Sequence, residues 1–219
     1  MKRPASFWQT EILFYLDGVG WAHKNNPKDH AKTLRTRTWR QKKEGRKKGC
    51  TAKGKKEGVG GKMVYFMVAV AYGKGVVAAM PYTGPINGAK FSQLVDANFP
   101  KILKKFRHYK SRYFMQDGDR SQNAKQSLSA ISRSGLEIFP ITPRSPDFNP
   151  IENIFHLISV QIKQDGLKLD IERETYEEFQ TRCFQTMMNF PKDIIDKTID
   201  SMPDRMRAAI KDKGGRTKY

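Results

Sequence analysis

Nine consecutive residues, Val64–Tyr72, form an unbroken apolar run, and this run restricts the fold more than any other feature of the chain. It is too short to cross a bilayer as a helix, which takes about 20 apolar residues. It also lacks the polar alternation of a strand with one wet face, so it reads as a strand covered on both sides. Residues 11–17, Glu-Ile-Leu-Phe-Tyr-Leu-Asp, have the same character. Val76–Tyr82 follows after Gly73-Lys74-Gly75, a connection short enough for an antiparallel hairpin. Apolar residues at 91, 94, 95, 99, 102 and 103 mark a helix over 91–106, which Pro100 is expected to kink or split. Tyr113–Gln116 reads as a strand, Ser121–Ser134 as a helix stopped by Gly135, Leu136–Ile141 as a strand, and Pro150 to about Lys163 as a helix. This order predicts an α/β fold with a mixed sheet. Two amphipathic helices, Glu172–Phe190 and Asp193–Lys211, follow; Pro191 separates them and Pro203 interrupts the second.

The 219 residues carry 41 Lys and Arg against 22 Asp and Glu, a formal charge of +19. Such a balance favours a polyanionic partner. Most of the excess is local. Residues 24–62, between the first two strands, hold 15 basic and three acidic residues and therefore carry +12 of it. Lys42, Lys43, Arg46, Lys47, Lys48, Lys53, Lys55 and Lys56 are the candidate DNA contacts there. Trp39 and the Thr/Arg alternation of Thr33–Arg40 suggest an extended ribbon with an aromatic anchor, suited to DNA or a partner subunit. The basic residues lie in Gly-broken sequence and not on an amphipathic helix, which argues against a membrane surface. The N-terminal apolar stretch, Ile12–Leu16, is too short for a signal sequence, so an intracellular protein is expected. Cys50 and Cys183 provide neither a disulfide framework nor a zinc site. Gly49–Lys56 approaches a phosphate-binding loop, but Lys56 stands where a Mg²⁺-binding Ser or Thr belongs and no strand precedes it.

Three carboxylates stand at the ends of apolar runs or just inside a helix: Asp17, Asp117 and Glu152, with 34 residues between the last two. Hard divalent cations prefer such oxygen donors. Structural explanations compete with metal binding. Asp17-Gly18 and Asp117-Gly118 read equally as turns after strands. With Asn149 as N-cap and Pro150 as first helical residue, Glu152 occupies the capping-box position. The apolar residues Ile151, Ile154, Phe155 and Ile158 nevertheless leave Glu152, His156 and Ser159 on the polar face of that helix. Asp119 and Asp147 are rival acids, and spacing does not choose among them.

The segments Gln116-Asp117-Gly118-Asp119 with Gln122-Asn123, and Ser145-Pro146-Asp147-Phe148-Asn149-Pro150-Ile151-Glu152-Asn153, resemble the catalytic region of Tc1/mariner-type DDE transposases. The 34-residue interval matches the Tc1-like branch, and Asp17-Gly18-Val19-Gly20-Trp21 resembles the surroundings of the first catalytic aspartate. Members of the family often have Asp-Asn followed by His, where this chain has Asp117-Gly118-Asp119 and Asn123.

The resemblance implies an RNase H-like mixed sheet flanked by helices, with Asp17, Asp117 and Glu152 as a catalytic, metal-binding triad for Mg²⁺, Mn²⁺ substituting. It implies cut-and-paste DNA transposition, with transposon-end and target DNA and a second transposase copy as partners. A eukaryotic member would work in the nucleus. Residues 1–163 are expected to form the catalytic core, including the 24–62 insertion, and residues 164–219 its C-terminal helical part. Only 16 residues precede Asp17, too few for paired helix-turn-helix modules, so the sequence reads as a shortened copy. A domesticated DNA-binding or dimerisation module and a stand-alone RNase H-like nuclease are the alternatives.

Overall fold

The computed structural model describes residues 3–24, 62–141 and 148–211. A short helix, α1 (Phe7–Thr10), precedes strand β1 (Ile12–Ala22); β2 (Met63–Ala71) and β3 (Gly75–Tyr82) follow. Next come α2 (Gly88–Leu103), β4 (Tyr113–Gln116), α3 (Lys125–Arg133) and β5 (Glu137–Ile138). Helices α4 (Ile151–Lys168), α5 (Tyr176–Met188), α6 (Lys192–Asp200) and α7 (Met202–Lys211) complete the described chain. The strands form one mixed sheet in the order β3-β2-β1-β4-β5. β1, β2 and β3 run antiparallel in turn, while β1 pairs with β4, and β4 with β5, in parallel. Among the described residues no helix is long and apolar enough to cross a membrane.

The unbroken apolar runs are explained by a sheet covered on both faces. Along β2, Val64, Phe66, Val68 and Val70 enter one core with Tyr15, Met115 and helices α4 to α6. The intervening Met67, Ala69 and Ala71 enter a second core with Phe14, Leu16, Phe114 and helices α2 and α3. Phe14 and Phe114 stack at 5.0 Å, with Phe99 of α2 edge-on to both, which locks the second layer onto β1 and β4. Cys183 lies in the first core, and burial pushes its thiol up to about 12, consistent with a packing role.

Several boundaries differ from the sequence reading for identifiable reasons. β1 does not end at Asp17: Gly18 through Ala22 continue the ladder opposite Met67 through Met63. The hairpin takes positive φ at Gly73 and Gly75, the freedom its glycines were expected to supply. Pro100 remains within α2, which then tightens into a 3₁₀ turn at Lys104–Phe106. The strand expected over 136–141 shrinks to Glu137–Ile138, paired only with Tyr113 and Phe114. The helix expected from Ser121 begins at Lys125, because Asp119 accepts hydrogen bonds from the Ser121 amide and hydroxyl, both at 2.6 Å, and holds a turn there. The helix from Pro150 runs past Lys163 to Lys168. A capping box does occur, but at Thr175 and Glu178, opening α5.

Candidate active site

Side chains alternate across a strand, so Asp17 falls on the same face of β1 as Tyr15, toward α4. Leu16 pairs with Gln116 in the parallel ladder, which sets Asp17 beside Asp117, one residue beyond the end of β4. Glu152 is the second residue of α4, whose buried side chains Ile151, Ile154, Phe155 and Ile158 anchor it to this face. Residues remote in sequence thus meet at one end of the sheet. Each aspartate turns back to accept a hydrogen bond from the next amide, Gly18 N–H at 2.7 Å and Gly118 N–H at 2.6 Å.

The turn explanation fails for Asp17, which sits inside β1 opposite Val68, in a ladder with β2 that continues to Ala22. The capping-box explanation fails for Glu152. Pro150 is the N-cap of α4, no side chain caps this end, and the Asn149 carboxamide oxygen accepts from Ile151 N–H at 3.4 Å. Glu152 instead reaches Asp17, whose carboxyl is pushed up to about 8. Burial is the main cause, opposed by the Gly18 amide and reinforced by the charge and hydrogen bond of Glu152 and by the charge of Asp117. The Asp17–Glu152 pair therefore favours keeping a proton well above the ordinary carboxylate range.

This donor set fits a divalent cation in its chemistry: three oxygen-donor carboxylates, of which Asp17 is raised by burial first and then by the other two, so positive charge is wanted there. The geometry is looser than a finished cage. Among the described residues no three His, Cys, Asp or Glu side chains are grouped closely enough to hold a metal ion.

Of the other sequence candidates, Asp119 is occupied by Ser121, and His156 stands exposed one turn beyond Glu152. Ser159 accepts from Trp21 Nε1–H at 2.9 Å and donates to the Phe155 carbonyl, tying α4 to β1. Asp147 and the basic candidates Lys42, Lys43, Arg46, Lys47, Lys48, Lys53, Lys55 and Lys56 lie outside the described residues.

Sequence reasoning missed Tyr82, at the end of β3. A Cβ on Gly18 would stand 3.4 Å from its hydroxyl, and that hydroxyl is raised by burial first, then by Tyr65, Asp17 and Asp119. No pattern within β3 marks it, since its proximity comes from pairing across β2. Gln116, Gln122 and Asn149, from the quoted motifs, are buried with carboxamide atoms that have no hydrogen-bond partner: both polar atoms of Gln116, Oε1 of Gln122 and Nδ2 of Asn149. A buried polar group of this kind costs about 1–3 kcal/mol when left without a partner.

A mixed sheet covered by helices on both faces, with acids from two parallel strands and a helix meeting at its end, defines a class of nuclease-like domain. Residues 29–172, well over half of the chain and including Asp117 and Glu152, match the family described as DDE superfamily endonuclease, and the chain belongs to that family. The relatives it resembles are transposable-element transposases, among them Tc1 of Caenorhabditis elegans at 27% identity over 106 residues.

One relative is the Tcb2 transposable-element transposase of Caenorhabditis briggsae, 27% identical over 106 residues, which make up 48% of this chain and 37% of the relative. The chain thus matches little more than a third of the length of that curated relative. Among solved structures, the Mos1 strand transfer complex matches with a TM-score of 0.65 at 19% identity, covering 97% of this chain and 57% of that one. The Mos1 transposase catalytic domain with raltegravir and Mg matches with a TM-score of 0.59 at 20% identity, covering 73% and 80%. These likenesses establish the RNase H-like fold.

Proposed function

We propose that this domain cuts DNA strands and joins the resulting 3′ ends to a target, as the catalytic part of a cut-and-paste transposase. The observation that carries the reading is the convergence of Asp17, Asp117 and Glu152 at one sheet end, where β1, β4 and the start of α4 come together. Asp17, Asp117 and Glu152 would hold divalent metal, Mg²⁺ by preference and Mn²⁺ in substitution. Bound there, the metal would supply Lewis-acid stabilisation of the scissile phosphate and of the attacking oxygen. The chain's own part is positional. β1 and β4 hold two carboxylates side by side, α4 brings the third across them, and the Gly18 and Gly118 amides orient the aspartates. The basic residues of 24–62 would retain the DNA backbone, and a second copy of the chain would complete the assembly.

The test is joining of a labelled duplex with a free 3′-OH into plasmid DNA in Mg²⁺. Asp117→Asn should lower the rate at least about 100-fold, equivalent to roughly 2.7 kcal/mol, and chelator should stop the reaction. Joining that survives either treatment defeats the assignment. A second reading is a DNA-binding or dimerisation module without catalysis, favoured by the absence of a closed three-carboxylate cage among the described residues. It predicts DNA affinity with no joining in any divalent metal.

A further inference from the structure

Beside Glu152 lies a cleft of about 340 Å³ between α4, α6 and α7, lined by Asn153, His156, Lys197, Thr198, Ser201 and Arg205 together with Leu157 and Ile194. Its ionisable lining residues are all of basic type. Arg205 is 2% exposed and donates from Nε to Ser201 Oγ at 2.8 Å and from a terminal nitrogen to Asn153 Oδ1 at 2.8 Å. That second bond fixes the Asn153 carboxamide with its oxygen toward the arginine, leaving Nδ2, a pure donor, directed elsewhere. Thr198 and Ser201 spend their hydroxyl protons on the carbonyls of Ile194 and Thr198, so they shape the wall more than they contribute donors. Lys197 stands at the rim, 78% exposed, and meets Asp193 at 3.5 Å; an exposed pair of this kind is worth little and does not spend the cation. His156 stands on the same helix face as Glu152, one turn on.

We infer that this cleft is a phosphate subsite: it receives a backbone phosphodiester of the DNA strand that runs from the Glu152 end of the site along α4. Lys197 supplies the charge, His156 and the Asn153 carboxamide supply donors, and Arg205 is a positioning residue that sets the carboxamide. The distance suits this role. Glu152 to His156 is about 6 Å along the helix, under two base steps at about 3.4 Å per step. A phosphate held here fixes the strand one or two nucleotides from the scissile bond. The inference rests on the DNA reading of the site but not on its catalysis.

The experiment uses the full chain carrying Asp117→Asn, so that binding is read without chemistry, and measures affinity for a fluorescent duplex against salt. Lys197→Gln should weaken binding about three- to tenfold and reduce the salt slope by about 1. His156→Gln should weaken it less. The discriminating arm replaces single phosphates by neutral methylphosphonates along the strand. At one position, one or two nucleotides from the 3′ end, the substitution should abolish the effect of Lys197→Gln; at the others the two effects should add. Both variants change exposed side chains, so folding is not at issue. Unchanged affinity and slope in Lys197→Gln, or additivity at every phosphate, overturns the subsite. If joining by the parent chain fails while the single-phosphate coupling persists, the subsite stands and the catalytic reading falls.

Discussion

Among the described residues, carboxylates of two regions are treated in opposite ways: Glu174 is buried, whereas Asp17 and Asp117 are half-buried with Glu152 exposed beside them. Glu174 is 4% exposed and meets the Arg182 guanidinium two-pronged, at 2.6 and 2.8 Å, while a third Arg182 nitrogen donates to the Ile162 carbonyl at 2.7 Å. That acid has its cation inside the fold and needs nothing else. At the sheet end, burial and the charges of Glu152 and Asp117 raise the Asp17 carboxyl. A buried charge that the chain neutralises itself is structural, whereas a half-buried cluster of like charges with no cation of its own is open to a ligand that brings positive charge from outside.

The largest effect should come from breaking the closed pair. Arg182→Met leaves Glu174 buried alone and should cost about 3–5 kcal/mol, read by urea unfolding. Glu174→Gln added to it should recover most of that loss. A cost below about 1 kcal/mol would show that Glu174 finds water, and the contrast with the open cluster would collapse.

Adding Mg²⁺ or Mn²⁺ should stabilise the folded chain by about 2.7 kcal/mol at a hundredfold excess over the dissociation constant. Arg182→Met should not alter this gain, and Asp17→Ala should remove it. Thermal unfolding with and without chelator measures both.

The metal-free chain should also show a pH signature. Asp17 keeps its proton to about pH 8 in the fold but only to its ordinary value of 3.8 when unfolded. The stability due to that proton is complete below the unfolded value and is lost as pH rises toward 8. Asp17→Asn, which cannot ionise, should flatten this slope and raise the metal-free Tm near pH 8 by about 2–4 °C, equivalent to about 1 kcal/mol in a chain of this size. A profile in which wild type and Asp17→Asn run parallel would mean that the carboxylates do not interact.

These two regions were not equally legible in the sequence. The strands were, because runs such as Val64–Tyr72 have one economical placement, between two helical layers. The acids could be selected only through the motif around Asn149-Pro150-Ile151-Glu152, since Asp-Gly alone permits a turn. The glycines obscured the rest of β1: Gly18 and Gly20 weaken any local strand signal, and pairing with β2 overrides them. Asp119, a rival by spacing, accepts hydrogen bonds from the Ser121 amide and hydroxyl, a local turn that its sequence position does not announce. The Glu174–Arg182 pair, the raised Asp17 carboxyl and Tyr82 all depend on tertiary proximity, which no spacing in the chain encodes.

The ladder joining β1 to β2 runs out to Ala22 opposite Met63, and the His23 amide still donates to the Lys62 carbonyl at 3.0 Å. The two ends of the basic segment are therefore fastened to each other some distance from Asp17. Closing a longer loop over such a clasp costs little, about 0.6 kcal/mol for each doubling of its length. A change in the length of the segment between His23 and Lys62 is therefore expected to leave the carboxylates where they are.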